Sequence, residues 1–110
     1  MQFILSEHFK KQLKPYARKY KHFKRDLAQF LEQFDKRQAV HLRKGVYKTR
    51  MRISDMTKGK SGAFRLIIHI VETDNVLLPI TLYLKNERAD ISADEIDEHL
   101  TIVLAEVGMI

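Results

Sequence analysis

Seven cations in this chain have the chemistry to work on a phosphodiester: Lys48, Arg50, Arg52, Lys58, Lys60, Arg65 and Lys85. Cleaving RNA needs little beyond such a set. RNA carries its own nucleophile, the 2′-hydroxyl, and a protein can position it and stabilise the charge that builds on the phosphorane. Arginine suits this work because its planar fork binds two phosphate oxygens at once.

Other chemistries find less support. The GKSG run at Gly59–Gly62 invites comparison with a P-loop, but that motif requires a glycine at position 54, where Ser54 stands, and a helix afterwards. The five histidines, His8, His22, His41, His69 and His99, are not paired at ligand spacing on one helix face. With no cysteine there is no thiolate nucleophile, no cysteine zinc site and no disulfide. No serine sits in a nucleophile elbow. Asp94, Glu95, Asp97 and Glu98 cluster at the start of an expected helix, where the helix dipole accounts for them. Neither a cofactor nor a metal is expected.

The elements that must position the cations follow from periodicity. In VYKTRMR, Tyr47, Thr49, Met51 and Ile53 alternate with Lys48, Arg50, Arg52 and Ser54, which predicts a strand with one buried and one wet face. Three cations in a row on the wet face repel one another, and a polyanion lying across it removes the repulsion. A polar loop, Asp55 to Gly62, leads to a second strand opening at Phe64 and running to Val71. A further strand is expected over Val76 to Lys85, with Pro79 marking an edge or a bulge. Gln2 to Leu5 forms a short first strand. Ser6 caps a helix whose stripe is Phe9, Leu13, Tyr16, Ala17 and Tyr20, with a kink or break expected at Pro15. Phe23, Leu27, Phe30, Leu31 and Phe34 mark a second helix. Asp35 to Gly45 reads as a polar link. Ser92-Ala93-Asp94-Glu95 is a capping box opening a last helix that ends near Gly108.

The 110 residues make one domain, 1–110, and 45% apolar content makes it globular. The net charge of +6 conceals an asymmetry. Residues 1–70 hold 18 Lys/Arg against 5 Asp/Glu, whereas residues 71–110 hold 2 against 9. A basic body with an acidic end points to a polyanion partner. No apolar run is long enough to span a bilayer and no signal-peptide pattern is present, so a cytoplasmic protein is expected.

Three segments, VYKTRMR, KGKSGAFRLI and ITLYLKNERADIS, closely resemble the RelE/ParE superfamily of toxins from bacterial type II toxin–antitoxin modules. FKKQLKPYARKYKHFKRDL resembles the first helical pair of the same branch. The resemblance covers nearly the whole chain. It implies an α+β, RelE-like compact fold, with N-terminal helices packed on a mainly antiparallel four-stranded sheet, plus a C-terminal helix. It also implies an endoribonuclease that cleaves translated mRNA at the ribosome and inhibits translation. A cognate antitoxin would wrap and block it, in a toxin–antitoxin hetero-oligomer. Lys48, Arg50, Arg52 and Arg65 match basic positions that RelE-type nucleases use on the scissile phosphate, and Lys85 matches a basic position at the end of the last strand. These five form the candidate catalytic set, with Lys58, Lys60 and Tyr83 as candidate RNA contacts.

The chain departs from the family pattern at three positions. Asn86 stands where RelE has a catalytic arginine, Ser92 where it has a tyrosine acting as acid or base, and Ala63 replaces a glycine. Tyr83, Glu87 and Tyr47 are the candidates left to carry a proton. Two rival functions follow from the same family: a ParE-like inhibitor of DNA gyrase, and an RNA-binding homologue with lost catalysis. The retained basic strand favours the nuclease over the first.

Overall fold

The computed structural model describes residues 1–56 and 63–110. Its strands are β1 (Gln2–Phe3), β2 (Val40–Arg43), β3 (Val46–Arg52), β4 (Ala63–Val71) and β5 (Val76–Leu84), and its helices are α1 (Glu7–Lys19), α2 (Phe23–Glu32) and α3 (Ala93–Glu106). One sheet runs in the order β1-β5-β4-β3-β2. β1 is parallel to β5, and the other neighbouring pairs are antiparallel. The α+β expectation holds, with a correction to the strand count: five strands stand in place of four. The additional strand is β2, inside the stretch expected to be a polar link. Its four residues are all exposed, so the brief alternation of Val40 and Leu42 with His41 and Arg43 marks no buried face. Pairing with β3 makes it a strand. The turn between them uses Gly45 at φ 72, where a Cβ would lie 2.8 Å from the His69 ring.

Helices cover both faces of the sheet. Phe64, Leu66, Ile68 and Ile70 of β4 meet Phe9 and Leu13 of α1 and Phe23, Leu27 and Leu31 of α2. On the other face, Val46, Ile67, Leu78 and Ile80 meet Ile96 and Val103 of α3. β5 is buried at every position, which is why its sequence reads as a continuous apolar run. Its register shifts at Pro79: Ile68 pairs with Pro79 but Ile67 with Thr81, leaving Ile80 as the extra residue of the expected bulge.

Ser6 caps α1 by accepting from the Phe9 N–H at 3.0 Å. Of the kink or break expected at Pro15, the break does not occur, and α1 continues through the proline. Packing offsets the missing hydrogen bond. Phe9 and Leu13 are buried before the proline. After it, Tyr16 meets Phe64 edge-on at 4.8 Å between ring centroids, and Phe23 does so at 5.2 Å. Edge-to-face pairs of this kind contribute about 0.5–1.5 kcal/mol each beyond burial. α1 also closes the edge of β5 beyond β1. The Gln12 amide donates to the Ile80 carbonyl at 3.0 Å and accepts from the Thr81 hydroxyl at 2.6 Å.

Two histidines make the fold sensitive to acid. His8 Nε2 lies 2.7 Å from His99 Nδ1, between α1 and α3. Burial, then the His99 neighbour, hold the His8 pKa below its ordinary value of 6.5 against an opposing pull from Glu106, with a lesser push down from Lys11. Burial also lowers His69, whose Nδ1–H donates to the Gly45 carbonyl at 3.1 Å. For a base with a lowered folded-state pKa, the unfolded chain takes up protons first. Stability is therefore complete above the ordinary histidine pKa and is lost as pH falls through it. The melting temperature should drop between about pH 7 and pH 5, before the carboxylates titrate. Replacing both His8 and His69 by glutamine should flatten that limb. A wild-type melting temperature constant over this interval rules the coupling out.

Candidate nucleic-acid interface

Strand register assembles the site. Arg50 on β3 pairs with Arg65 on β4, and Arg65 pairs with Tyr83 on β5, giving one row across three strands. The next row begins with Arg52 opposite Ala63. The Lys85 N–H donates to the Ala63 carbonyl at 3.3 Å, which brings Lys85 beside the same small residue. In the row before, Lys48 pairs with Ile67. Directly opposite residues on one sheet face have Cβ atoms only about 4.5–5.5 Å apart, so Arg50 and Arg65 repel each other as neighbours. α3 covers this face around Val46, Ile67 and Ile80, and the cationic rows lie beyond that cover.

Arg65 is the sharpest feature. Its Nη1 is buried and has no hydrogen-bond partner, the one such side-chain atom among the described residues. A buried donor left unsatisfied is costly, and an anionic acceptor would remove the cost. The ring of Phe64, fully buried in the opposite core, fixes the backbone just before it. Arg50 is exposed and has no hydrogen bond or ion pair among the described residues.

The remaining groups gather on the segment after β5. Asp90 Oδ1 accepts from Ile91 N at 2.8 Å, Lys48 Nζ at 3.2 Å and Tyr83 Oη at 3.4 Å. The Ile91 N–H and then Lys48 hold the Asp90 carboxyl below the usual carboxylate range. Burial, reinforced by Asp90, pushes the Tyr83 hydroxyl up, against opposing pulls from Arg65 and Arg88. Lys85 Nζ donates to the Ala89 carbonyl at 3.0 Å.

Arg88 is a site cation that sequence reasoning overlooked. Its Cζ lies 5.4 Å from the Tyr83 ring centroid. The signal was present in KNER, where Arg88 follows Lys85 by three residues, but its importance depends on the chain folding back over Tyr83. Lys58, Lys60 and the GKSG run lie outside the described residues.

Of the three candidate proton carriers, only Tyr83 stands in the row. Tyr47 packs towards the α1–α2 core, with its ring 5.0 Å from His41. Glu87 accepts from the Tyr16 hydroxyl at 2.9 Å, and burial, with help from that bond, pushes Tyr16 up to about 12. Ser92 caps α3, accepting from Glu95 N at 3.1 Å. The described residues contain no group of His, Asp and Glu able to hold a metal ion. None of their helices is long and apolar enough to cross a membrane.

A search of curated proteins found no match. Among solved structures, the chain is similar to an arginine-substituted double mutant of the E. coli toxin RelE in the free state. Identity is 17%, the TM-score is 0.49, and the match covers 94% of this chain and 97% of that one. The family model of the RelE toxin of the RelE/RelB toxin–antitoxin system matches residues 7–107, and on that match the chain belongs to the RelE toxin family.

Proposed function

We propose that this toxin is an endoribonuclease that cleaves translated mRNA, in association with the ribosome, and so stops translation. The observation that carries the proposal is the Arg50–Arg65–Tyr83 row with the unpartnered Arg65 Nη1 inside it. A phosphate set against Arg65 and Arg50 gives that donor an acceptor and relieves the repulsion between the two guanidinium groups. The 2′-oxygen bonds to phosphorus as the bond to the 5′-oxygen breaks. The products are a 2′,3′-cyclic phosphate and a 5′-hydroxyl. The attacking hydroxyl gives its proton to solvent. The leaving oxygen takes one from Tyr83, whose pKa, raised above the ordinary 10.0, lies well above neutral pH. Arg65 meets the growing charge without having to reorganise.

Induction without antitoxin tests this. Protein synthesis should stop before DNA synthesis, and new mRNA ends should appear within coding regions. With purified RNA, the logarithm of affinity should fall against log salt with a slope of roughly −0.7 per phosphate contacted. Intact mRNA with early failure of replication and supercoiling would make the protein a gyrase inhibitor instead. A flat salt dependence would remove the electrostatic basis.

The cognate antitoxin would dock on the opposite side. A groove of about 820 Å³ runs between β1, α1 and α2. Leu5, Leu13, Ala17 and Leu27 supply its apolar lining, and Lys10, Lys14, Lys21 and Lys24 are among its cations. That combination fits an amphipathic helix with acidic flanks. Ala17→Arg fills the groove without entering the cationic row. It should weaken antitoxin binding by about tenfold or more, as expected when a central contact is lost, and leave RNA cleavage intact. Unchanged affinity in a titration would place the antitoxin elsewhere.

A further inference from the structure

A guanidinium binds phosphate best through two parallel N–H groups. On Arg88 that fork is already occupied. Nη1 and Nη2 donate to the two carboxylate oxygens of Glu95 at 2.9 and 2.8 Å, and Nε donates to the Asp90 carbonyl at 3.0 Å. We infer that Glu95 is an internal stand-in for phosphate. It holds the fork of Arg88 until an RNA phosphate displaces it, and so sets RNA affinity at a second phosphate position beside Arg65. This rests on the RNA-cleaving function proposed above.

The two partners differ in how firmly they are fixed. Glu95 is in the first turn of α3, which Ser92 caps and which Ile96 and Val103 anchor in the core. Arg88 is on the connection between β5 and α3, so it is the partner able to swing. The exchange leaves Glu95 with company. His99 Nε2 already lies 3.7 Å from its Oε2, one helical turn along. Arg88 needs only a small movement, because its guanidinium is already over Tyr83, the residue paired with Arg65. Both side chains are partly exposed, 41% for Arg88 and 35% for Glu95. Opening the pair therefore costs no more than a surface ion pair, and its removal should tighten RNA binding by about threefold to fivefold.

The test is a titration of the intact protein with a labelled single-stranded RNA oligomer over a salt series. Glu95→Gln keeps the side-chain shape and a residue suited to the first helical turn. It should give the threefold to fivefold gain and steepen the log–log salt slope by up to about 0.7. The steepening follows because the freed fork gathers counterions that RNA then releases, whereas in the wild type the fork merely exchanges one anion for another. Glu95→Ala, a second way of freeing the fork, should show the same gain. Asp94→Asn makes the same charge change one residue away with the fork still held, and should give less than half the effect. In an Arg88→Ala background, Glu95→Gln should be silent.

Three results overturn the inference while the proposed function stands: wild-type affinity in Glu95→Gln, an equal gain in Asp94→Asn, or a gain that persists without Arg88. Absence of salt-dependent RNA binding by the wild type removes the proposed function, and this inference with it.

Discussion

Arg65→Ala should lower single-turnover cleavage by on the order of 10²–10³, the effect of losing one preorganised donor to a transition-state oxyanion. The melting temperature should stay the same or rise. These two expectations together separate a catalytic cation from a structural one. A structural arginine would be tied to a carboxylate across the sheet, and its removal would strand that partner. Among the described residues Arg65 has no such tie. Its Nη1 is buried without a partner, and its cross-strand neighbour is another arginine. Removing it relieves a like-charge pair, which is worth roughly 0.2–1 kcal/mol to the fold. Arg65→Lys should recover little activity, since a point charge cannot reproduce the fork. Lys14→Ala, on α1 and away from the row, removes one charge and should alter binding slightly and cleavage rate not at all. If Arg65→Ala unfolds the protein, or melts normally and cleaves at the wild-type rate, the catalytic cation is another member of the set and Arg50 and Lys85 come next.

The strand carrying Arg50 was legible because VYKTRMR alternates, and Thr49 and Met51 are indeed buried while Arg50 and Arg52 are exposed. The cap of α3 was legible from four residues, and of the edge or bulge that Pro79 announced, the bulge is what forms. These are local signals, each set by the steric or hydrogen-bonding habits of a few neighbours. What was not legible is register. Nothing within residues 46–52 says that Arg50 will lie opposite Arg65 and not Ile67, because pairing is settled by cores on both faces of the sheet. The same holds for β2, where VHLR is exposed throughout and is a strand only by virtue of β3. Arg88 was missed for a related reason. Its partners, Glu95 and the Tyr83 ring, are supplied by a fold-back that no periodicity encodes. At Pro15 the helix does not break, since packing of Phe9 and Leu13 before the proline and of Tyr16 after it outweighs one lost backbone hydrogen bond.

Tyr83→Phe should lower cleavage by about 10²–10⁴, the range for loss of a general acid, with little change in RNA affinity. The hydroxyl has the three properties the role requires. It is placed in the same cross-strand row as Arg65. Its proton is retained at neutral pH, as in any tyrosine, and burial with the Asp90 carboxylate raises its pKa further against the pull of Arg65 and Arg88. Its bond to Asp90 Oδ1 is long, 3.4 Å, so little is lost when it turns towards a leaving oxygen. Phenylalanine keeps the ring that packs in the core beside Ile67 and supports Arg88, so the fold and the cationic row should persist. The raised pKa also sets the sign of the pH dependence. Activity should hold through the neutral range and fall only above the ordinary tyrosine value of 10.0, as the acid form is lost. In Tyr83→Phe that alkaline limb should vanish along with most of the rate. A substrate whose 5′-oxygen is replaced by sulfur gives a leaving group that needs no proton, and on it the variant should approach the wild type. Equal defects on both substrates would assign the Tyr83 hydroxyl to positioning the row through Asp90, and the proton would then have to come from solvent.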